Sequence, residues 1–204
     1  ALGAGTLALT STAGNIYGTT GGLLNANQVT LSAAGSDGRN GAIGSSAQAL
    51  RMQTVGLTAT SGTGGIYVNG LGSLNLKAID TTGNLAIQTT ATLTLGDIKA
   101  GGAAALTSML GSIVDDGNDA TSISTSSLTL SAAQGIIGSA ARALKTNAST
   151  LSVTAGASGV YLDSASANLN ITQAQANGGP VTITGAGSVS ANNASAPTGV
   201  LRSW

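Results

Sequence analysis

Short apolar segments recur along the chain in which Leu, Ile or Val alternates with one small residue. They are LAL at 7, VTL at 29, LTA at 57, LNL at 74, LAI at 85, LTL at 93, AAL at 104, LTL at 128, LSV at 151, LNI at 169 and VTI at 181. This period of two sends one side of a strand into a core and the other to solvent. Clusters of Gly, Asn, Asp and Ser punctuate the intervals, which run from 8 to 28 residues. Strands this short cannot stand alone. Stacked in a solenoid, each would pair with its equivalents above and below at about 4.8 Å, and the inward residues would join a continuous aliphatic column.

A longer period lies over this one. AIGSSAQALR at 42–51 matches IIGSAARALK at 136–145 with six identities in ten at an offset of 94. LTATSGTGGIYV at 57–68 pairs with LSVTAGASGVYL at 151–162 at the same offset, which sets Tyr67 on Tyr161. VTLSAA at 29–34 matches LTLSAA at 128–133 at an offset of 99, because the first copy has the longer loop GSDGRNG where the second has QG. ALTSTAGNI at 8–16 pairs with ALTSMLGSI at 105–113, and TGNLAI at 82–87 with GGPVTI at 178–183. The chain therefore reads as two copies of a roughly 97-residue unit, about 7–103 and 104–200, within one solenoid segment covering 1–204 and excised from a longer repetitive protein.

One stretch resists the strand reading. LSAAQGIIGSAARALK, Leu130 to Lys145, looks like a glycine loop opening a helix, and both SSAQALRM and SAARALK contain good helix formers. Isolated helices so short are marginal in water. We expect strands and corners instead, with Leu128, Leu130, Ile137 and Leu144 inward, Gly135 at the turn, and Arg142 and Lys145 facing water.

Composition agrees and narrows the chemistry. Aromatic residues make up 2% of the chain and hydrophobic residues 42%, as a thin core of Leu, Ile, Val and Ala requires. There is no His, Cys, Phe or Glu, so the usual catalytic inventory is nearly empty. Seven Lys and Arg offset seven Asp, which gives nucleic acid or anionic lipid no electrostatic footprint. No run of about 18 apolar residues predicts a membrane span. The opening ALGAGTLALT lacks the pattern of a signal peptide.

The stretch LTLSAAQGIIGSAARALKTNASTLSVTAGASGVYL, with its partner copy, resembles the repeat region of filamentous-haemagglutinin-type adhesins of Gram-negative bacteria, large exoproteins exported by two-partner secretion. The resemblance runs from about Leu7 to Val200. It implies an all-β, right-handed parallel β-helix, a stiff extracellular or cell-surface shaft that holds a binding tip towards a host or neighbouring cell. At about 22 residues per turn the chain makes roughly nine coils and a rod of about 45 Å. Such a segment would continue into adjacent repeats, or stack on identical copies through the exposed ends of its β-helix.

Other chemistry fits the residues less well. DDGND at 115–119 invites a calcium site, but its spacing fits neither an EF-hand loop nor a calcium β-roll, and a solvated corner is expected. GSDGRNG at 35–41 and SGTGGIY at 61–67 resemble phosphate loops without the following helix, and corner turns are expected there too. Asn147, Asn170 and Asn193 open N-x-S/T triplets, which are common by chance in such a chain. Tyr67 and Tyr161 are expected to fill wide parts of the core or flank a corner, with a sugar-stacking surface as the alternative. A β-helix carbohydrate-active enzyme would need clustered carboxylates, whereas Asp115 and Asp116 are adjacent and point apart in a strand. An ice-binding solenoid would need an array of outward threonines such as Thr30, Thr58, Thr94, Thr129 and Thr182, which Asn75, Ala86, Ala105, Ser152 and Asn170 interrupt. No residue is assigned a catalytic, cofactor-binding or metal role, and the chain is expected not to be an enzyme. The insertion SDGRN at 36–40, present only in the first copy, is the place to look for a function of its own.

Overall fold

The computed structural model describes residues 5–156 and 158–195. They form nineteen strands and no helix, all in one sheet whose pairings are parallel. The described residues wind as a β-solenoid of about nine coils, from Thr6–Ser11 at one end to Ala194–Ser195 at the other. Coil length varies: Val29 pairs with Leu57, 28 residues on, while Leu76 pairs with Leu95, 19 residues on. The strand ladder tolerates this because only the inward positions must align, and surplus residues leave at the corners.

Three aliphatic columns run through the interior. One stacks Leu7, Val29, Leu57, Leu76 and Leu95. A second stacks Ile16, Ile43, Ile66, Leu85, Ala104, Leu128, Leu151 and Ile171. The third stacks Leu74, Leu93, Ile113, Ile137, Val160 and Val181. From Val29 to Ile183 these residues belong to a single buried cluster. Burial of each Leu or Ile contributes about 1.5–3 kcal/mol, repeated coil after coil.

The 97-residue repeat does not coincide with a whole number of coils. Four coils above Leu7 the first column reaches Leu95. The repeat mate of Leu7 is instead Ala104, nine residues further along and in the second column. Likewise Ile16 lies in the second column and its mate Ile113 in the third. Each copy therefore advances four coils plus one strand, and equivalent residues of the two copies occupy different sides of the rod.

Small hydroxyls close the buried corners where an aliphatic side chain would leave backbone groups unpaired. The Ser61 hydroxyl donates to Thr81 Oγ1 at 2.8 Å, and Thr81 donates onward to the Gly62 carbonyl at 3.0 Å. At the next corner Thr89 and Ser108 both donate to the Ala91 carbonyl, at 2.7 and 2.8 Å. Such bonds remove the desolvation cost of buried carbonyls.

Neither helix-forming stretch is helical. Ser45 and Gln48 exchange backbone bonds at 3.0 and 3.1 Å, and Ser45 Oγ accepts the Gln48 N–H at 3.0 Å. Ser139 and Arg142 repeat the pattern at 2.8, 3.1 and 3.0 Å. Each is a tight turn whose serine side chain competes for the amide a helix would use. Leu128, Leu130, Ile137 and Leu144 are buried as the alternation required. The left-handed residue of this rung is Gly138, with φ +66°, and its mate Gly44 has φ +67°. A Cβ at Gly138 would collide with the Tyr161 carbonyl of the next coil, and one at Gly44 with that of Tyr67. Gly135, expected at the turn, has no positive φ; it is glycine because the Gly111 backbone of the coil below lies against it.

Candidate functional site

The acidic loop is spent on its own corner. Asp115 Oδ1 accepts the Gly117 N–H at 2.8 Å, and Asp116 Oδ1 accepts from the Asn118 N–H and the Thr121 hydroxyl, both at 3.0 Å. Arg142 reaches across to Asp119 at 3.2 Å and Asp115 at 3.6 Å, and the Lys145 ammonium donates to the Asp119 carbonyl. The loop is thus stapled to the following coil by two cations, with its carboxylates turned to backbone amides and arginine.

The glycine loops behave as corners. Gly62 N–H donates to the Gly41 carbonyl at 2.9 Å and Thr63 N–H to the Arg39 carbonyl at 2.8 Å, so the amides a phosphate would need are taken by the coil below. In the SDGRN insertion, Asp37 Oδ1 accepts from the Arg39 and Asn40 N–H groups, both at 2.8 Å. These two bonds hold the Asp37 carboxyl below its ordinary pKa. The insertion is bonded to itself through Asp37 and to the next coil through the Arg39 carbonyl, and it borders none of the grooves described below.

The five threonines do not form one array. Thr30 and Thr58 stack, but the next residue on that ladder is Ala78. Thr94 lies between Asn75 and Val114, Thr129 between Ala105 and Ser152, and Thr182 beside Tyr161. Asn147, Asn170 and Asn193 are all exposed. The hydroxyls that follow in two of these triplets, Ser149 and Thr172, donate to the Ser126 and Leu151 carbonyls.

Of the two placements expected for the tyrosines, the corner is the one found: each stands two residues past a positive-φ glycine, Gly65 and Gly159. Tyr67 stands on the outward side of Gly65–Gly70, between buried Ile66 and Val68, and Tyr161 stands likewise between buried Val160 and Leu162. Neither fills the core, because the alternation that buries its two neighbours sends the ring outwards. Next to Tyr67 on the ladder come Ala86 and then Ala105; next to Tyr161 comes Thr182. Two successive alanines leave a hollow of about 380 Å³ beside Tyr67, walled by Ser45, Ser46, Ala47 and Ala49 and edged by Asn69, Gln88 and Thr107. A smaller hollow of about 160 Å³ continues past Asn69 and Gln88 to Arg51 and Met109. The Tyr67 ring lies back over Gly65, where a Cβ would stand 3.2 Å from Cε2 and where φ is +82°.

In the sequence Ala86 and Ala105 stand only as interruptions in a threonine pattern. The signal that finds the hollow is a 19-residue spacing: Tyr67, Ala86 and Ala105 share one ladder, and Asn69, Gln88 and Thr107 the adjacent one. The hollow also crosses the junction between the two copies, since Tyr67 and Ala86 belong to the first and Ala105 and Thr107 to the second. Compared with protein-family models, curated proteins and solved structures, the chain matches none.

Proposed function

We propose that this chain is a segment of the shaft of a secreted or cell-surface exoprotein of a Gram-negative bacterium, of the adhesin type that its repeats resemble, with a mechanical and spacing role. The observation that carries this reading is the unbroken aliphatic core, in which each coil rests on the one before from Val29 to Ile183. A solenoid so built transmits load along its axis through every ladder in parallel, and its length grows with the number of coils. Leu7, Leu9, Ile16 and Leu24 at one end and Val189 at the other are only partly buried against the core. An identical copy would stack on these partly buried apolar residues.

Two measurements test the proposal. Antibodies raised against the purified chain should label intact cells of the source organism; labelling only after permeabilisation would overturn a surface location. Small-angle scattering at rising concentration should show rods lengthening in steps of about 45 Å, nine coils at the ladder spacing. Side-by-side association would overturn end-to-end stacking.

A further inference from the structure

We infer that the hollow between Tyr67 and Ala105 is a binding groove for a neutral, linear oligosaccharide laid along the axis of the rod. Three features converge. Tyr67 offers an aromatic ring on which the apolar face of a pyranose can rest while its hydroxyls stay wet. Ala86 and Ala105, at the same ladder position in the next two coils, clear a floor for the rings that follow. Asn69, Gln88 and Thr107 stand in register beside that floor and supply donors and acceptors to each ring in turn.

The ladder step is about 4.8 Å, on the order of the length of one sugar ring in an extended chain, so one ring is served per coil. The hollow of about 380 Å³ falls within the size of ordinary ligand pockets, and it combines an apolar surface with a few placed polar groups as they do. A peptide strand fits less well, because the backbone amides of this side are already paired coil to coil. The same position in the second copy, Tyr161, faces Thr182 in place of alanine, so its floor is raised. The inference is independent of the shaft proposal: a rod without this groove would still be a rod.

The test is a titration of the isotopically labelled chain with cellohexaose, laminarihexaose and xylohexaose, followed by amide chemical shifts. At least one should shift the amides of 67–69, 86–88 and 105–107 saturably, with glucose itself binding at least tenfold more weakly. Tyr67→Ala should weaken that binding at least tenfold. Ala105→Arg, outward-facing and so compatible with folding, should abolish it, while Tyr161→Ala leaves it unchanged. Absence of saturable shifts with all three probes overturns the inference. So does binding that survives both Tyr67→Ala and Ala105→Arg in variants whose spectra show the native fold, or glucose binding as tightly as the oligomers.

Discussion

Substituting Gly138 by alanine separates two reasons for a glycine. Gly138 and Gly38 have nearly the same backbone, φ +66° and +72°, so alanine at either must bear the left-handed conformation, about 1–2 kcal/mol. At Gly38 a Cβ meets nothing within 4 Å, and the cost ends there. At Gly138 the Cβ also runs into the Tyr161 carbonyl of the next coil, so the coil must shift, and overpacking of this kind adds about 1–3 kcal/mol. Gly138→Ala should therefore lose about 2–5 kcal/mol against about 1–2 for Gly38→Ala. Because a solenoid can open in parts, hydrogen exchange resolved by strand is a better assay than one global melting curve. Protection should fall in Leu144–Ala155 and Val160–Ser164, which flank the contact, and Gly44→Ala should do the same around Tyr67. Equal losses for Gly138→Ala and Gly38→Ala would refute the claim that stacking, rather than backbone conformation alone, demands the glycine.

Other outcomes follow from the same geometry. Leu106→Ala, at a fully buried position, should cost about 2–5 kcal/mol by leaving a cavity, read as lost protection in the coils on either side; a loss below 1 kcal/mol would mean the core collapses freely. Arg142→Ala should cost no more than about 1 kcal/mol, since the arginine is half exposed, yet raise exchange across residues 116–122 in a salt-sensitive way. Thr146 Oγ1 is buried without a partner whereas Thr81 Oγ1 is fully engaged, so Thr146→Val should be neutral or stabilising and Thr81→Val destabilising by about 1–3 kcal/mol in chemical denaturation. The Asp37 carboxyl is held below its ordinary value by two N–H donors, so its contribution to the loop is present above that value and lost as pH falls through the lowered one. An NMR titration should show the Arg39 and Asn40 amides moving with Asp37 in that acidic window.

The period-two alternation made the strands and the buried side legible, because inward positions in a thin solenoid admit only aliphatic residues of limited size. It correctly overrode helix propensity at SSAQALRM and SAARALK, where two serines turn the chain within four residues. Other features were out of reach for definite reasons. Composition leaves Tyr67 and Tyr161 between the core and a corner, and only the alternation around each ring decides for the outward, corner position. The hollow beside Tyr67 depends on which residues share a ladder, and that is set by coil length, which varies with every corner insertion. A residue pattern spaced by 19 in one part of the chain and by 28 in another shows its columns only once the corners are known.

The phase of the repeat bears on what the two copies preserve. Had equivalent residues fallen on one side of the rod, likeness between copies could reflect a shared binding surface. They do not: each copy advances four coils plus one strand, so Tyr67 and Tyr161 face different directions, as do the turns at Ser45 and Ser139. What both copies keep is what any coil needs wherever it faces, namely inward aliphatics, the glycine beneath the tyrosine carbonyl and the serine-closed turn. Outward positions can diverge, as Ala86 against Thr182 does, although the outward tyrosine is kept in both copies. The hollow between Tyr67 and Ala105, assembled across the junction of two copies, joins residues that both copies keep, Tyr67, Ala105 and the Ser45 turn, to Ala86, which breaks the repeat; the SDGRN insertion breaks it as well, but its Asp37 carboxylate is turned back on the Arg39 and Asn40 amides.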